Sequence, residues 1–169
     1  MRTSEAGPAA LCIVMAWLLL LPLGCGRKPP YQGRSVAELE RMLADPKPSV
    51  QAQGAFGLGL LGEKAKSAVP ALVRALGSPD ALLRQQAALS LGQIGASAEE
   101  AVPALITALG DKEWTIRRQA AVSLGMIGPP ARSAESALRQ CQRDTRPLIR
   151  KAATEALAGI QGKPAGGSP

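Results

Sequence analysis

Three features of the 169-residue sequence predict an all-helical chain wound into an α-α superhelix, a solenoid of about four two-helix repeats. The middle of the chain repeats at an offset of 33 residues, each repeat carries two apolar runs at helical spacing, and aromatic residues make up only 2% of the chain. A unit of that length cannot bury its own apolar face alone, so successive units must stack. A core built from Ala, Leu, Val and Ile, in a chain that is 46% hydrophobic and 20% charged, demands close backbone approach. Helices rich in Ala and Gly allow it.

Taken in order, residues 1–24 read as a signal peptide. The apolar run 9–23, AALCIVMAWLLLLPL, follows Arg2 and precedes Arg27 and Lys28. It has the length of a signal-peptide core and falls short of the roughly 20 residues that a spanning helix needs. The run ends in Leu21-Pro22-Leu23-Gly24-Cys25, which resembles the lipobox of bacterial lipoproteins, with Pro22 where that family usually has Leu. The resemblance implies cleavage before Cys25 and a lipid on its sulfur. The expected location is the cell envelope, as a membrane-anchored lipoprotein facing the periplasm or exterior; a retained signal anchor and simple secretion are the alternatives. Residues 25–34, with Pro29 and Pro30, read as a tether.

The repeat domain spans residues 35–161 in four units, 35–62, 68–95, 101–128 and 134–161. The middle two define the pattern. Val69-Pro70-Ala71-Leu72 overlies Val102-Pro103-Ala104-Leu105, Arg84 overlies Arg117, Leu91-Gly92 overlies Leu124-Gly125, and Ile94-Gly95 overlies Ile127-Gly128. In the second unit Val69, Leu72, Val73 and Leu76 mark one helix face, and Leu83, Ala87, Leu91 and Ile94 mark a second after Gly77-Ser78-Pro79. Pro70 and Pro103 fall in a first helical turn, and Gly95 and Gly128 just past a last one. The first unit carries weaker helix signals, with Pro46, Pro48, Gly54 and Gly57 in or near its second helix. The fourth replaces the usual Leu-Gly with Gln142-Arg143, as a solvated terminal cap requires. The tail 162–169, GKPAGGSP, reads as disordered.

The ankyrin TPLH turn and the tetratricopeptide spacing of Trp, Leu-Gly and Tyr are both missing. AVPALVRALGSPDALLRQQAALSLGQIG at 68–95 and AVPALITALGDKEWTIRRQAAVSLGMIG at 101–128 instead resemble the short bacterial HEAT-like repeats also found in phycobilisome lyase subunits. The resemblance implies a HEAT-like solenoid whose second helices line one surface. At about 100° per residue, Gln85, Leu89 and Gln93 lie opposite the core arc of the second unit. Their equivalents are Ala52, Phe56 and Leu60; Arg118, Val122 and Met126; and Lys151, Glu155 and Gly159. These positions vary between units while the core arc stays constant, which suits a recognition surface. Phe56, Leu60, Gln85, Leu89, Arg118, Val122, Met126 and Lys151 are therefore the candidate partner-binding residues, apolar at one end and basic at the other. A partner protein with an acidic segment fits that gradient. The competing reading has Phe56, Leu89 and Val122 packing between helices.

Arg84, Arg117 and Arg150 recur at one position. Asp80 and Glu113 stand four residues before Arg84 and Arg117, so the pairs are expected as structural intrahelical ion pairs. Trp114 starts a second helix as either an exposed anchor or an inter-unit packing residue. Cys141 aligns with Ala75 and Ala108 on a core arc and reads as a buried small hydrophobe.

The chain contains no His, which removes the commonest general base and zinc ligand, and no phosphate loop, nucleophile elbow or metal-ligand spacing is visible. Neither catalytic residues, nor a metal, nor a cofactor are expected. The formal charge of +7 is concentrated late, at Arg132, Arg139, Arg143, Arg146, Arg150 and Lys151, and favours an anionic partner. The expectation is a non-enzymatic protein-binding scaffold tethered to the envelope. The alternatives are a basic binder of lipid headgroups or nucleic acid and, as a minor reading, a bilin lyase-like subunit. Nucleic acid is poorly supported because stacking aromatics are so few, and a lyase would need a lined tetrapyrrole pocket.

Overall fold

The structure, a computed structural model, describes residues 29–162; Cys25, the apolar run and most of the tail lie outside them. The described residues form four helical hairpins and no strand. The hairpins are α1 (Val36–Leu43) with α2 (Pro48–Leu60), α3 (Val69–Ala75) with α4 (Ala81–Ile94), α5 (Val102–Ala108) with α6 (Trp114–Ile127), and α7 (Glu135–Cys141) with α8 (Pro147–Ile160). The architecture is an all-α HEAT-like solenoid, as the 33-residue period predicts. No helix among the described residues is long and apolar enough to cross a membrane.

Local chemistry sets the boundaries. Ser35 and Glu38 form a reciprocal capping box at α1, and the Asp80 carboxylate accepts the Leu83 N–H at 2.8 Å to cap α4. Pro48 and Pro147 open α2 and α8, where a missing N–H costs nothing. Gly95 and Gly128 end α4 and α6 with φ of 73° and 76°, a conformation closed to side chains with a Cβ. Short 3₁₀ segments, Gly62–Ala68, Gly95–Ala101 and Pro129–Ala134, join the units. Each buries two alanines completely, so the connectors belong to the core.

The second helices α2, α4, α6 and α8 pack side by side in one layer, with the shorter first helices and the 3₁₀ segments on its other side. Leu83, Ala87, Leu91 and Ile94, and their equivalents Ile116, Ala120, Leu124 and Ile127, are all buried between the layers. Small residues make the close approach possible. A Cβ on Gly92 would lie 2.8 Å from the Ser123 hydroxyl, and one on Gly125 2.8 Å from the Ala156 Cα. The Ser90 and Ser123 hydroxyls donate to the Ala55 and Ala88 carbonyls at 2.7 Å across the same junctions.

The first unit's glycines have the same explanation. A Cβ at Gly54 would meet Met42 and the Leu39 carbonyl, and one at Gly59 would meet Ser90. α2 therefore runs unbroken despite its composition. Residues 29–34, expected as part of a tether, instead fold into a turn against this unit. Tyr31 packs on Gly57 and meets the Phe56 ring edge-on at 5.1 Å between centroids.

Candidate functional site

Helix-wheel geometry places the stripe on the side of the second-helix layer away from the first helices, but its members differ in what they expose. Leu60, Arg118, Met126 and Lys151 are exposed, whereas Phe56, Gln85, Leu89 and Val122 are half-buried and Ala52 is buried. Val122 packs against the core cluster, so at that position the packing role holds. Phe56 lines a groove between α2 and α4, and Gln85 and Leu89 keep part of their surface exposed.

The structure adds residues that the wheel reading stopped short of. Among the described residues the exposed large apolar side chains are Leu60 (58%), Leu82 (53%), Met126 (48%) and Leu148 (52%), all on second helices. Leu82 and Leu148 lie one turn before Gln85 and Lys151, so extending the wheel by three residues finds them. Between α2 and α4, Tyr31, Ala52, Phe56 and Leu82 form an open groove with walls mostly of carbon, with Ser49, Gln53 and Gln86 beside them. Tyr31 had no sequence signal, because the turn that brings it there is tertiary.

The basic end is less free than its charge suggests. Lys151 lies 3.8 Å from Glu155 on its own helix, and Arg139 pairs with Glu135 at 2.8 Å. The Arg146 guanidinium sits 4.9 Å over the Trp114 ring, which makes Trp114 a junction between the third and fourth units. Arg118 has no ion-pair partner among the described residues.

The expected ion pairs within helices are corrected. Asp80 caps α4, and the Glu113 carboxylate, just before α6, makes no ion pair with the Arg117 guanidinium, although the Glu113 carbonyl accepts the Arg117 backbone N–H at 3.2 Å. Arg84 instead donates from Nε and Nη2 to both oxygens of Asp111 in the next unit, at 2.8 and 3.1 Å, and Arg117 donates from Nε to Asp144 at 3.2 Å. Each Nη1 holds two carbonyls of the preceding loop, Ser78 and Pro79 for Arg84, Asp111 and Lys112 for Arg117. The arginine thus closes its own hairpin loop and reaches the neighbouring unit, which an i,i+4 partner would prevent.

Both aspartates respond. Burial would raise the Asp111 carboxyl, but hydrogen bonds from Arg84 and the Glu113 N–H, with the Arg84 charge, hold it below the ordinary value. The Arg146 N–H does most to lower Asp144, helped by Arg117. Cys141 is half-buried against the core, and its thiol is pushed up by burial and by the Asp144 charge, leaving it protonated at neutral pH.

The family model for HEAT repeats matches residues 36–103 and 96–158. No curated protein matches the sequence. Among solved structures the chain is similar to an engineered protein (23% identity, TM-score 0.64, covering 78% of this chain and 64% of that one). It is similar to human deoxyhypusine hydroxylase in complex with glycerol (30% identity, TM-score 0.63, 80% and 46%). It also resembles the complex of CpcE and CpcF of phycocyanin lyase from Nostoc sp. PCC7120 (28% identity, TM-score 0.64, 80% and 57%). The chain spans between 46% and 64% of the length of these neighbours. With the family match covering all four hairpins and the stacked second helices in place, this chain belongs to the HEAT-repeat family.

Proposed function

We propose that this protein is a non-catalytic scaffold, held at the cell envelope by a lipid on Cys25, that binds a partner protein along the exposed face of its second helices. The observation that carries the reading is the distribution of exposed apolar side chains. Leu60, Leu82, Met126 and Leu148 all occupy that one layer, and a carbon-walled groove beside Phe56 and Leu82 supplies a seat for an apolar anchor. Arg118 and Lys151 lie further along the layer, so a partner segment with an apolar residue followed by acidic ones matches its order. The neighbouring phycocyanin lyase structure is itself a complex of two chains, a use of the fold consistent with this proposal.

General anion binding is the weaker alternative, because Arg139, Arg146 and Lys151 already have acidic or aromatic neighbours. The test is retention of an envelope protein by the full chain against Leu82→Asp and Arg118→Glu, with helicity confirmed by circular dichroism. Retention falling at least about tenfold in each variant is expected for a desolvated contact. Retention unchanged in both variants overturns the stripe.

A further inference from the structure

Among the described residues, one member of the arginine ladder, Arg150, pairs with no carboxylate. Arg150 stands where Arg84 and Arg117 stand, and its Nη1 makes the same two bonds, to the carbonyls of Asp144 and Thr145 at 3.0 and 3.1 Å. Those bonds fix the guanidinium in the pose that its two counterparts use. Nε and Nη2, the edge that grips an aspartate of the following unit in the other rungs, have no partner among the described residues.

The other positions show that this edge is specific. In the first unit Gln51 replaces the arginine; its Nε2 still donates to the Asp45 carbonyl at 2.6 Å, closing the loop. The position facing it in the next unit is Ser78 in place of an aspartate. Where the fork is absent the carboxylate is absent too, whereas Arg150 keeps the fork.

The surface of α8 is not shaped to take a further unit stacked as the first four are. α8 carries Ala158 where Gly59, Gly92 and Gly125 admit the next helix, and Thr154, bonded to Gln142, where Ala55, Ala88 and Ala121 pack. A Cβ at the equivalent glycines would meet atoms of the following helix at 2.8 Å or less, so α8 refuses another second helix at that spacing. The same obstacle stands against a second copy stacking in register, although Asp45 makes the aspartate turn at the opposite end, its carboxylate accepting the Lys47 N–H at 2.8 Å.

We propose that Arg150 is a carboxylate-binding site at the C-terminal end of the solenoid, taking an acidic side chain from a helix-leading turn of a partner protein through Nε–H and Nη2–H. The occupied rungs define that ligand. Asp111 and Asp144 each accept the backbone N–H two residues on, at 2.8 Å, just before α6 and α8 begin. The site is separate from the second-helix stripe and stands or falls without it.

The experiment titrates the full chain with the acetylated, amidated tetrapeptide Asp-Lys-Glu-Trp, the sequence of the Asp111 turn, following the arginine Nε–Hε resonances by NMR. A saturable shift at Arg150 is expected, lost when the peptide's Asp is replaced by Asn. Arg150→Lys, which removes that resonance and is therefore followed by the indole N–H of the peptide's own Trp, should weaken binding by roughly tenfold, since lysine keeps the charge but not the fork. Equal shifts at Arg118 and Arg143, unchanged binding by Arg150→Lys, or no shift at all would overturn the proposal. A shift that depends on protein concentration alone and disappears in Asp45→Asn would assign the site to a second copy and overturn the choice of partner.

Discussion

Arg84 is buried at 7% exposure, and its guanidinium spends its donors on two loop carbonyls and both oxygens of Asp111. Removing one partner of such a pair leaves the other desolvated, which costs about 3 kcal/mol or more. Arg84→Met should therefore destabilise the chain by about that amount, Arg117→Met by less because its pair is more open, and Arg150→Met by about 1 kcal/mol or less. Arg84→Gln combined with Asp111→Ser, the pairing that the first unit uses, should recover much of the loss in urea unfolding. Acid supplies the second readout. Both aspartates have lowered folded-state pKa values, so their contribution is full above the unfolded value of about 3.9 and fades as pH falls below it toward the folded values. The double variant should lose less stability across that window than the parent chain. Strict additivity of the single changes would contradict the coupling.

At the scale of the element, the second helices are shaped more by what they touch than by helix propensity. Glycine inside a helix costs about 1 kcal/mol relative to alanine, yet Gly59, Gly92 and Gly125 all sit in the last turn of their helices, against the next unit. Gly92→Ala gains that propensity and loses more. Its Cβ would lie within 2.9 Å of the Ser123 Cα and Cβ, backbone-linked atoms that cannot swing away, and overpacking of this kind costs about 1–3 kcal/mol. A lower thermal midpoint is expected for Gly92→Ala. Gly77→Ala is the control, since a Cβ there would meet only the Arg74 carbonyl, at 3.4 Å. A rise in midpoint for Gly92→Ala would mean that the α4–α6 junction is looser than described. Close contacts of the same kind account for the first unit, where the glycine-rich segment Pro48–Leu60, a poor helix by propensity, forms a continuous helix because its glycines admit neighbouring atoms.

Across the described residues, stacking proceeds from the Tyr31 turn to α8, and the proposed partner face runs between them. The proposed lipid anchor belongs to this scale too, because a lipid on Cys25 would hold the repeat domain at a membrane. Expression with the native N-terminus in a bacterial host, followed by fractionation and intact mass, is expected to give a membrane-bound chain starting at a lipid-bearing Cys25. A soluble chain of full mass beginning at Met1 would remove the envelope from the proposal and leave the scaffold reading standing.

The sequence by itself determined the repeat, its 33-residue register, the hairpin in each unit and the residues of the core arcs. Those follow from periodicity and capping, which act within a few turns of chain. It also offered a candidate stripe on the second helices, without Leu82, Leu148 and Tyr31. The tertiary structure decided which side chains meet across units. Arg84 and Asp111 are 27 residues apart, and no local spacing announces them; they meet because stacking sets one hairpin loop against the next. The i,i+4 rule offered Asp80 to Arg84, but capping α4 took that carboxylate first. Periodicity identifies what a residue faces within its own helix, and only the superhelical stacking of one unit on the next decides what it touches beyond it.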